Sequence, residues 1–150
     1  MARNMHRNTK TFALAFLAIS GMGTTLAHEG VQNPAVLERM ESMSTMVRSL
    51  TEMRRMSRGQ LPFDAAKVEQ AKQILLQETM RTPDLFEAEE SDPRDEALPA
   101  IWTNWDDFSA ANDRMLAVIN QADPATQDEL RVWIRDVGLT CAACHRSYRE

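Results

Sequence analysis

Apolar residues recur at steps of three and four along four stretches of the chain, and no stretch has the pattern of a β-strand. The first stretch begins at Asn33-Pro34, which suits a helix N-cap followed by proline in the first turn. It ends at Gly59, which can adopt the left-handed conformation that closes a helix. The pattern therefore predicts a first helix between these points. Its apolar face is formed by Val36, Met40, Met43, Val47 and Leu50.

A second helix is predicted to begin at Asp64 and to end at Thr82-Pro83, because the residue before a proline avoids the helical region. Residues 82–99 then form the one long connection, with three prolines and seven acidic residues. Repulsion between like charges at this density favours an extended, solvated segment. The sequence leaves open whether this loop is only a connection or also a docking patch for a basic partner. The acidic residues are Asp84, Glu87, Glu89, Glu90, Asp92, Asp95 and Glu96.

Two further helices complete the pattern. The third is predicted from about Leu98 to Asn120, and the fourth to begin at Asp123-Pro124, again an N-cap followed by proline. Four helices of similar length with mostly short joins predict an all-α protein that folds as an antiparallel four-helix bundle. The apolar face of the third helix holds Ile101, Trp102, Trp105, Phe108, Met115 and Ile119. That of the fourth holds Leu130, Trp133, Val137, Cys141, Cys144 and Tyr148.

The N-terminal segment has the features of an export signal. Its first ten residues carry three lysine and arginine side chains and no acid, and residues 12–19 are apolar. This run is far shorter than the roughly 20 residues that span a bilayer, and small residues follow at Thr25 and Ala27. We therefore predict a signal peptide over residues 1–27, cleaved after Ala27. One periplasmic domain over residues 28–150, without a membrane span, would remain.

The charge of that domain narrows its partners. Residues 28–150 contain 14 lysines and arginines and 22 acidic residues, a formal charge of −8. Nucleic acid binding requires a basic face, so this class of partner is excluded. A basic protein partner suits the charge.

Both cysteines of the chain lie in the segment Cys141-Ala142-Ala143-Cys144-His145. In a CxxCH motif the two thiols form thioether bonds with the vinyl groups of haem, and the histidine ligates the iron. Residues three and four apart lie on one side of a helix, so all three side chains can face the same cofactor. The motif predicts one covalently bound haem c per chain. A haem-free thiol–disulfide pair is the alternative.

Around this motif the chain resembles the cytochrome c-prime family. Residues 141–149 are similar to the family's C-terminal ending, and residues 59–66 to its first interhelical turn. Leu85-Phe86 and Ile101-Trp102 resemble further typical pairs. The resemblance covers nearly all of residues 28–150, and it implies a four-helix bundle around haem c.

The resemblance also implies roles for individual residues. The family's distal haem position lies 16 residues before the turn glycine, which is Met43 here; its arginine near the haem propionates is Arg39. By the same resemblance Arg149 lies on the proximal side near His145. From the residues alone Met43 is one methionine among several, which are usually flexible core filling. The rival ligands are Met40, Met46 and His28, and Trp102 or Trp105 is a candidate wall of the haem site.

These assignments predict a function. A haem iron ligated by His145 and Met43 is low-spin with both axial positions filled, which suits an electron carrier that cycles between Fe(III) and Fe(II). No general base, nucleophile or oxyanion arrangement indicates an enzyme. The alternative is a five-coordinate protein that binds nitric oxide or carbon monoxide. The resemblance further implies a homodimer formed through the first two helices, with redox proteins as partners.

Overall fold

The computed structural model describes residues 30–150, so the predicted signal peptide, its cleavage site and His28 lie outside the described residues. Four long helices form an antiparallel bundle in which α1 and α4 each pack against both α2 and α5. This arrangement confirms the predicted all-α four-helix bundle. Within residues 30–150 no helix is both long and apolar enough to cross a bilayer. The helices are α1 (Pro34–Ser57), α2 (Ala65–Leu85), the short α3 (Ala100–Thr103), α4 (Trp105–Asn120) and α5 (Gln127–Tyr148).

The predicted ends of α1 and the start of α2 are confirmed by their hydrogen bonds. The Asn33 side chain accepts from the backbone N–H groups of Ala35 and Val36. At the other end Gly59 has φ +71°, and its N–H donates to Met56 O at 2.9 Å. The Asp64 side chain caps α2 in the same way as Asn33 caps α1. Cap residues predict these ends because they satisfy backbone groups that the helix leaves unpaired.

The predicted end of α2 at Thr82 was wrong, because the helix continues through Pro83 to Leu85. The Thr82 hydroxyl donates to Glu78 O at 3.0 Å, and Phe86 N–H donates to Thr82 O at 3.2 Å. The helix thus loses only the hydrogen bond that proline cannot donate, close to its own end.

The predicted third helix is broken at Asn104, whose φ of −130° and ψ of 48° separate α3 from α4. The Asn104 side-chain amide donates to Ala100 O at 3.1 Å. Asparagine competes with the helix for such backbone groups. The Trp102 indole N–H donates to Phe86 O at 2.8 Å, which ties α3 to the end of α2.

The predicted cap of the last helix was also wrong. Thr126, and not Asp123, caps α5, and Glu129 completes a reciprocal capping box with it. Asp123, which is largely exposed, instead forms an ion pair with Lys72, whose side chain is largely buried.

The apolar side chains form one cluster at each end of the bundle. The closed end, where α1 and α4 finish and α2 and α5 begin, is a continuous core. The opposite end, here called the open end, has within residues 30–150 a smaller, mostly aromatic cluster of Phe86, Ile101 and Phe108. Val47 was predicted to lie on the buried face of α1 but is 55% exposed. The closed-end core consists of Met46, Leu50, Met53, Met56, Val68, Ala71, Leu75, Ile119, Leu130, Trp133, Ile134 and Val137.

Candidate haem-binding site

A cavity of about 550 Å³ occupies the open end of the bundle. Its volume falls within the roughly 300–1,000 Å³ usual for cofactor and ligand sites. The C-terminal turns of α5 form one wall and the first half of α1 another. The end of α2, the acidic loop, α3 and α4 close the remaining sides.

The CxxCH motif lies where the apolar stripe of α5 reaches this cavity. Leu130, Trp133 and Val137 are buried in the closed-end core, and Cys141 packs against that core one turn later. Cys144 and His145 line the cavity. Both cysteines are free thiols. The motif therefore presents its reactive groups at the boundary between the dry core and the cavity.

Burial sets the protonation of these groups. It raises the pKa of the Cys141 and Cys144 thiols, for Cys144 with a further contribution from Cys141. Cysteines of thiol–disulfide enzymes have lowered pKa values, so the direction of this shift favours haem attachment over the thiol–disulfide alternative. Burial, followed by the Arg149 charge, lowers the pKa of His145 and keeps its imidazole neutral, the form that binds a metal.

The methionines of α1 divide into those that face the cavity and those that face the core. Met43 and Met40 line the cavity. Met46 is 6% exposed in the closed-end core, and its sulfur accepts from the Thr79 hydroxyl at 3.8 Å. Met43 also contacts the aromatic cluster that Cys144 and Tyr148 touch. Among the three candidates on α1, the geometry favours Met43 and Met40 over Met46.

Arg39 lines the cavity but directs its guanidinium toward the acidic loop. The side chain is 2% exposed, and its nitrogens donate to the backbone carbonyls of Leu85, Ala88 and Glu90. The Asp95 carboxylate lies 3.6 Å from Nη1. Burial lowers the Arg39 pKa, against the opposing charge of Asp95. Contact between Arg39 and a haem propionate stays a prediction. Its role in holding the loop against α1 was not predicted from the sequence.

Arg39 also stacks between two aromatic rings. Its guanidinium carbon lies 4.8 Å from the Phe86 ring centroid and 5.3 Å from that of Trp102. Neither Trp102 nor Trp105 is among the residues that line the cavity. That a tryptophan contacts the haem therefore stays a prediction. In the structure the Trp102 ring packs against Arg39, the residue that binds the loop.

Arg149 lines the cavity at the end of α5 and joins it to the loop. Its Nε donates to Glu96 at 2.6 Å. The backbone reinforces this junction, since Leu98 N–H donates to Tyr148 O and Glu150 N–H to Glu96 O, each at 3.0 Å. Residues 95–97 thus form a cavity wall fixed to α5 at one side and, through Asp95, to α1 at the other.

Three aromatic rings, which the sequence did not predict to meet, form the floor of the cavity. The Phe108 ring lies 5.3 Å from both Phe86 and Tyr148, edge-on to the latter. Two features of the sequence pointed to these rings. Phe108 lies on the apolar face of its helix, and Leu85-Phe86 resembles a pair typical of the family. Neither signal could show that the rings meet, because they belong to three different helices and their junctions.

The cavity, the two free thiols and the neutral imidazole fit a covalently bound haem. The family model described as Cytochrome C' matches residues 34–149. The chain belongs to the cytochrome c′ family. Membership of this family implies one haem c, bound covalently through the two cysteines of the motif, Cys141 and Cys144.

Individual cytochromes are similar over most of the chain. Cytochrome c-556 of Agrobacterium tumefaciens (strain II Chrys) is 32% identical over 121 residues, 75% of this chain and 95% of that protein. A structural model of oxidized cytochrome c556 from R. palustris has a TM-score of 0.72 at 21% identity, over 79% of this chain and 98% of that one, which shows the fold alone. A variant of cytochrome c prime from Alcaligenes xylosoxidans, in complex with nitric oxide, has a TM-score of 0.68 at 28% identity, over 77% and 94%.

Proposed function

We propose that the protein is a periplasmic one-electron carrier in which Met43 and His145 are the axial ligands. The observation that carries the proposal is that both side chains line one cavity, from α1 and α5 respectively. A haem held there by Cys141 and Cys144 supplies Fe(III)/Fe(II) chemistry. We propose this role instead of an enzymatic one.

Each residue of the proposed site has a distinct task. The thioether sulfur of Met43 is a soft donor that favours the ferrous state and raises the reduction potential. The neutral His145 ring is fixed by its helix, whose last turn is tied to Glu96 through Arg149. Phe86, Phe108 and Tyr148 supply an apolar side of the cavity beside them. A haem held by both Met43 and His145 would keep the same protein ligands in both oxidation states, as a carrier requires.

The ferric optical spectrum of the holoprotein tests this assignment. Met43→Leu keeps the apolar volume but removes the sulfur, so it should convert a low-spin spectrum to a high-spin one. Met40→Leu, the matched control on the same cavity wall, should leave the spectrum low-spin. An unchanged spectrum in Met43→Leu, or a change in Met40→Leu alone, would remove Met43 from the assignment.

Gas binding is the second candidate function, favoured by the related protein that forms a nitric oxide complex. Ser44 and Val47 extend the cavity on the same wall as Met43, so a ligand could enter there if the sulfur were displaced. Carbon monoxide added to the reduced protein separates the two functions. The spectrum of a carrier should not change when carbon monoxide is added. An immediate spectral shift in the unmodified protein would favour gas binding.

Export and assembly complete the proposal. We propose cleavage after Ala27, which the N-terminal sequence of the purified protein would test. We also propose a homodimer formed through α1 and α2, since Leu37 and Met80 expose apolar side chains there. Sedimentation of the wild type and of Met80→Glu should show a dimer in the first and a monomer in the second, and a monomeric wild type would contradict the assembly.

A further inference from the structure

A second groove, separate from the haem cavity, lies where the end of α2 meets α3 and α4. Its volume is about 510 Å³. It shares no lining residue with the haem cavity. Two half-buried tryptophans, two exposed carboxylates and a proline line it. The residues are Pro83, Asp84, Glu87, Trp102 and Trp105.

The aromatic wall of this groove is fixed from behind. The Trp102 indole N–H donates to Phe86 O at 2.8 Å, and the Arg39 guanidinium lies 5.3 Å from the Trp102 ring. The positive charge of Arg39 would oppose a second cation nearby, but Asp95 and three backbone carbonyls already surround it. The groove is therefore preformed, and its unbalanced charge is the negative charge of its rim.

Five of the seven acidic residues between residues 82 and 99 fall into two groups with different tasks. One group is used inside the protein: Asp92 accepts from Gln32 and Asn33, Asp95 faces Arg39, and Glu96 pairs with Arg149. Asp84 and Glu87 form no ion pair with any residue of the described chain. Folding thus leaves the Asp84 and Glu87 carboxylates at the groove without an ion-pair partner within residues 30–150.

Tryptophan rings beside free carboxylates form a site for cations. The ring faces attract an ammonium or guanidinium group, and the carboxylates add a direct charge interaction. Asp106 and Asp107, exposed in the first turn of α4 directly after Trp105, extend the negative field beyond the groove. This combination matches the lysines and arginines of a basic protein surface, and it repels an acidic one.

The groove is also one aromatic side chain away from the haem cavity. The Trp105 ring lies 5.6 Å from the ring of Phe108, and Phe108 lines the cavity. A partner bound at the groove would be separated from the cofactor by packed side chains instead of water. The position suits electron transfer as well as binding.

We propose that this groove, formed by Asp84, Glu87, Trp102 and Trp105, docks a lysine- or arginine-bearing surface of a redox protein. The inference rests on the proposed carrier function and names the partner for it. In the exchange one electron passes between the iron and the redox centre of the partner, and no atom is transferred.

The test compares two one-electron oxidants of opposite charge with the reduced holoprotein. Tris(1,10-phenanthroline)cobalt(III) is a cation and ferricyanide an anion; with either, the iron loses one electron and the metal complex gains it. At an ionic strength of about 10 mM, where charges act over roughly 30 Å, the double variant Asp84→Asn/Glu87→Gln should lower the cobalt rate constant about tenfold. Its ferricyanide rate constant should not fall.

A matched control keeps the same net charge. Glu69→Gln/Asp128→Asn removes two exposed carboxylates where α2 and α5 begin, at the closed end, and should change the cobalt rate constant less than twofold. Trp105→Leu should lower the cobalt rate constant severalfold without altering any charge. The docking proposal would be overturned if the two double variants had equal effects, or if Asp84→Asn/Glu87→Gln had none.

The two proposals fail in different ways. Wild-type protein that reacts with neither oxidant would overturn the carrier function and, with it, the groove. If ferricyanide oxidises the wild type quickly but Asp84→Asn/Glu87→Gln leaves the cobalt rate constant unchanged, only the docking proposal would be overturned.

Discussion

The two ends of the bundle are built from the same helices but are completed differently. At the closed end, stripes from α1, α2, α4 and α5 meet one another, and Leu75, Ile119, Leu130 and Val137 are fully buried. At the open end the same stripes diverge around a cavity, and Val47 remains 55% exposed. The difference indicates that the helical pattern encodes a core with two parts, one filled by side chains and one filled by the cofactor.

The largest expected effect comes from withholding the cofactor. Without haem, the cavity of about 550 Å³ would hold only solvent, and lining side chains such as Ile101 and Phe108 would lose their packing partner. We therefore expect Cys141→Ser/Cys144→Ser to lose fixed tertiary packing while it keeps much of its helix. Near- and far-ultraviolet circular dichroism measure the two properties, and a haem-free variant with native near-ultraviolet signals would contradict the two-part core.

The next effect concerns the wall of the open end. Arg39→Ala leaves Asp95 and three backbone carbonyls without their partner, which should lower the free energy of unfolding by about 3–5 kcal/mol. Arg48→Ala, which removes an exposed ion pair with Glu41, should cost less than about 1 kcal/mol. Denaturant titration of both holoproteins measures this. Equal costs would show that Arg39 does not anchor the loop.

A core substitution at the closed end should separate stability from the haem site. Leu75→Ala removes a fully buried side chain and should cost about 2–5 kcal/mol. The optical spectrum should stay that of the unmodified protein, because Leu75 does not line the cavity. The exposed Leu139→Ala serves as control, with an expected change within about 0.5 kcal/mol. A spectral change in Leu75→Ala would mean that the two ends are not independent.

The smallest effect is a pH dependence of the loop's attachment. Backbone N–H groups of Gln32, Arg94 and Asn33 donate to Asp92 and lower the pKa of its carboxyl. A lowered folded-state pKa gives stability that is present above the unfolded value and lost as the pH falls through the folded one. Asp92→Asn should therefore weaken the loss of stability below about pH 4. Asp113→Asn, an exposed control, should retain the wild-type acid limb, and identical limbs in all three proteins would remove Asp92 as the cause.

The sequence predicted those parts of the fold that depend on local chemistry. Asn33 and Asp64 satisfy the first backbone N–H groups of their helices, and Gly59 adopts the positive φ that ends α1. The errors arose where tertiary contacts overrode local preference. Pro83 remains helical near the end of α2, and Asn104 breaks a helix whose apolar periodicity continues through it.

The candidate site was predictable to a similar degree. Of the three motif residues that the spacing puts on one side of α5, Cys144 and His145 line the cavity, and Cys141 packs against the closed-end core. The use of Arg39 by the loop was not predictable, because its partners are backbone carbonyls that follow it by 46 to 51 residues. Likewise, the sequence showed seven acidic residues between residues 82 and 99 but not which of them bind other parts of the protein.

The most direct test of the account is the mass of the peptide that contains residues 141–145, isolated by proteolysis of protein purified from cells that attach haem c. The account predicts one peptide that carries a single haem through both Cys141 and Cys144 and that absorbs in the visible range. A peptide without added haem, or one in which the two cysteines form a disulfide, would contradict it.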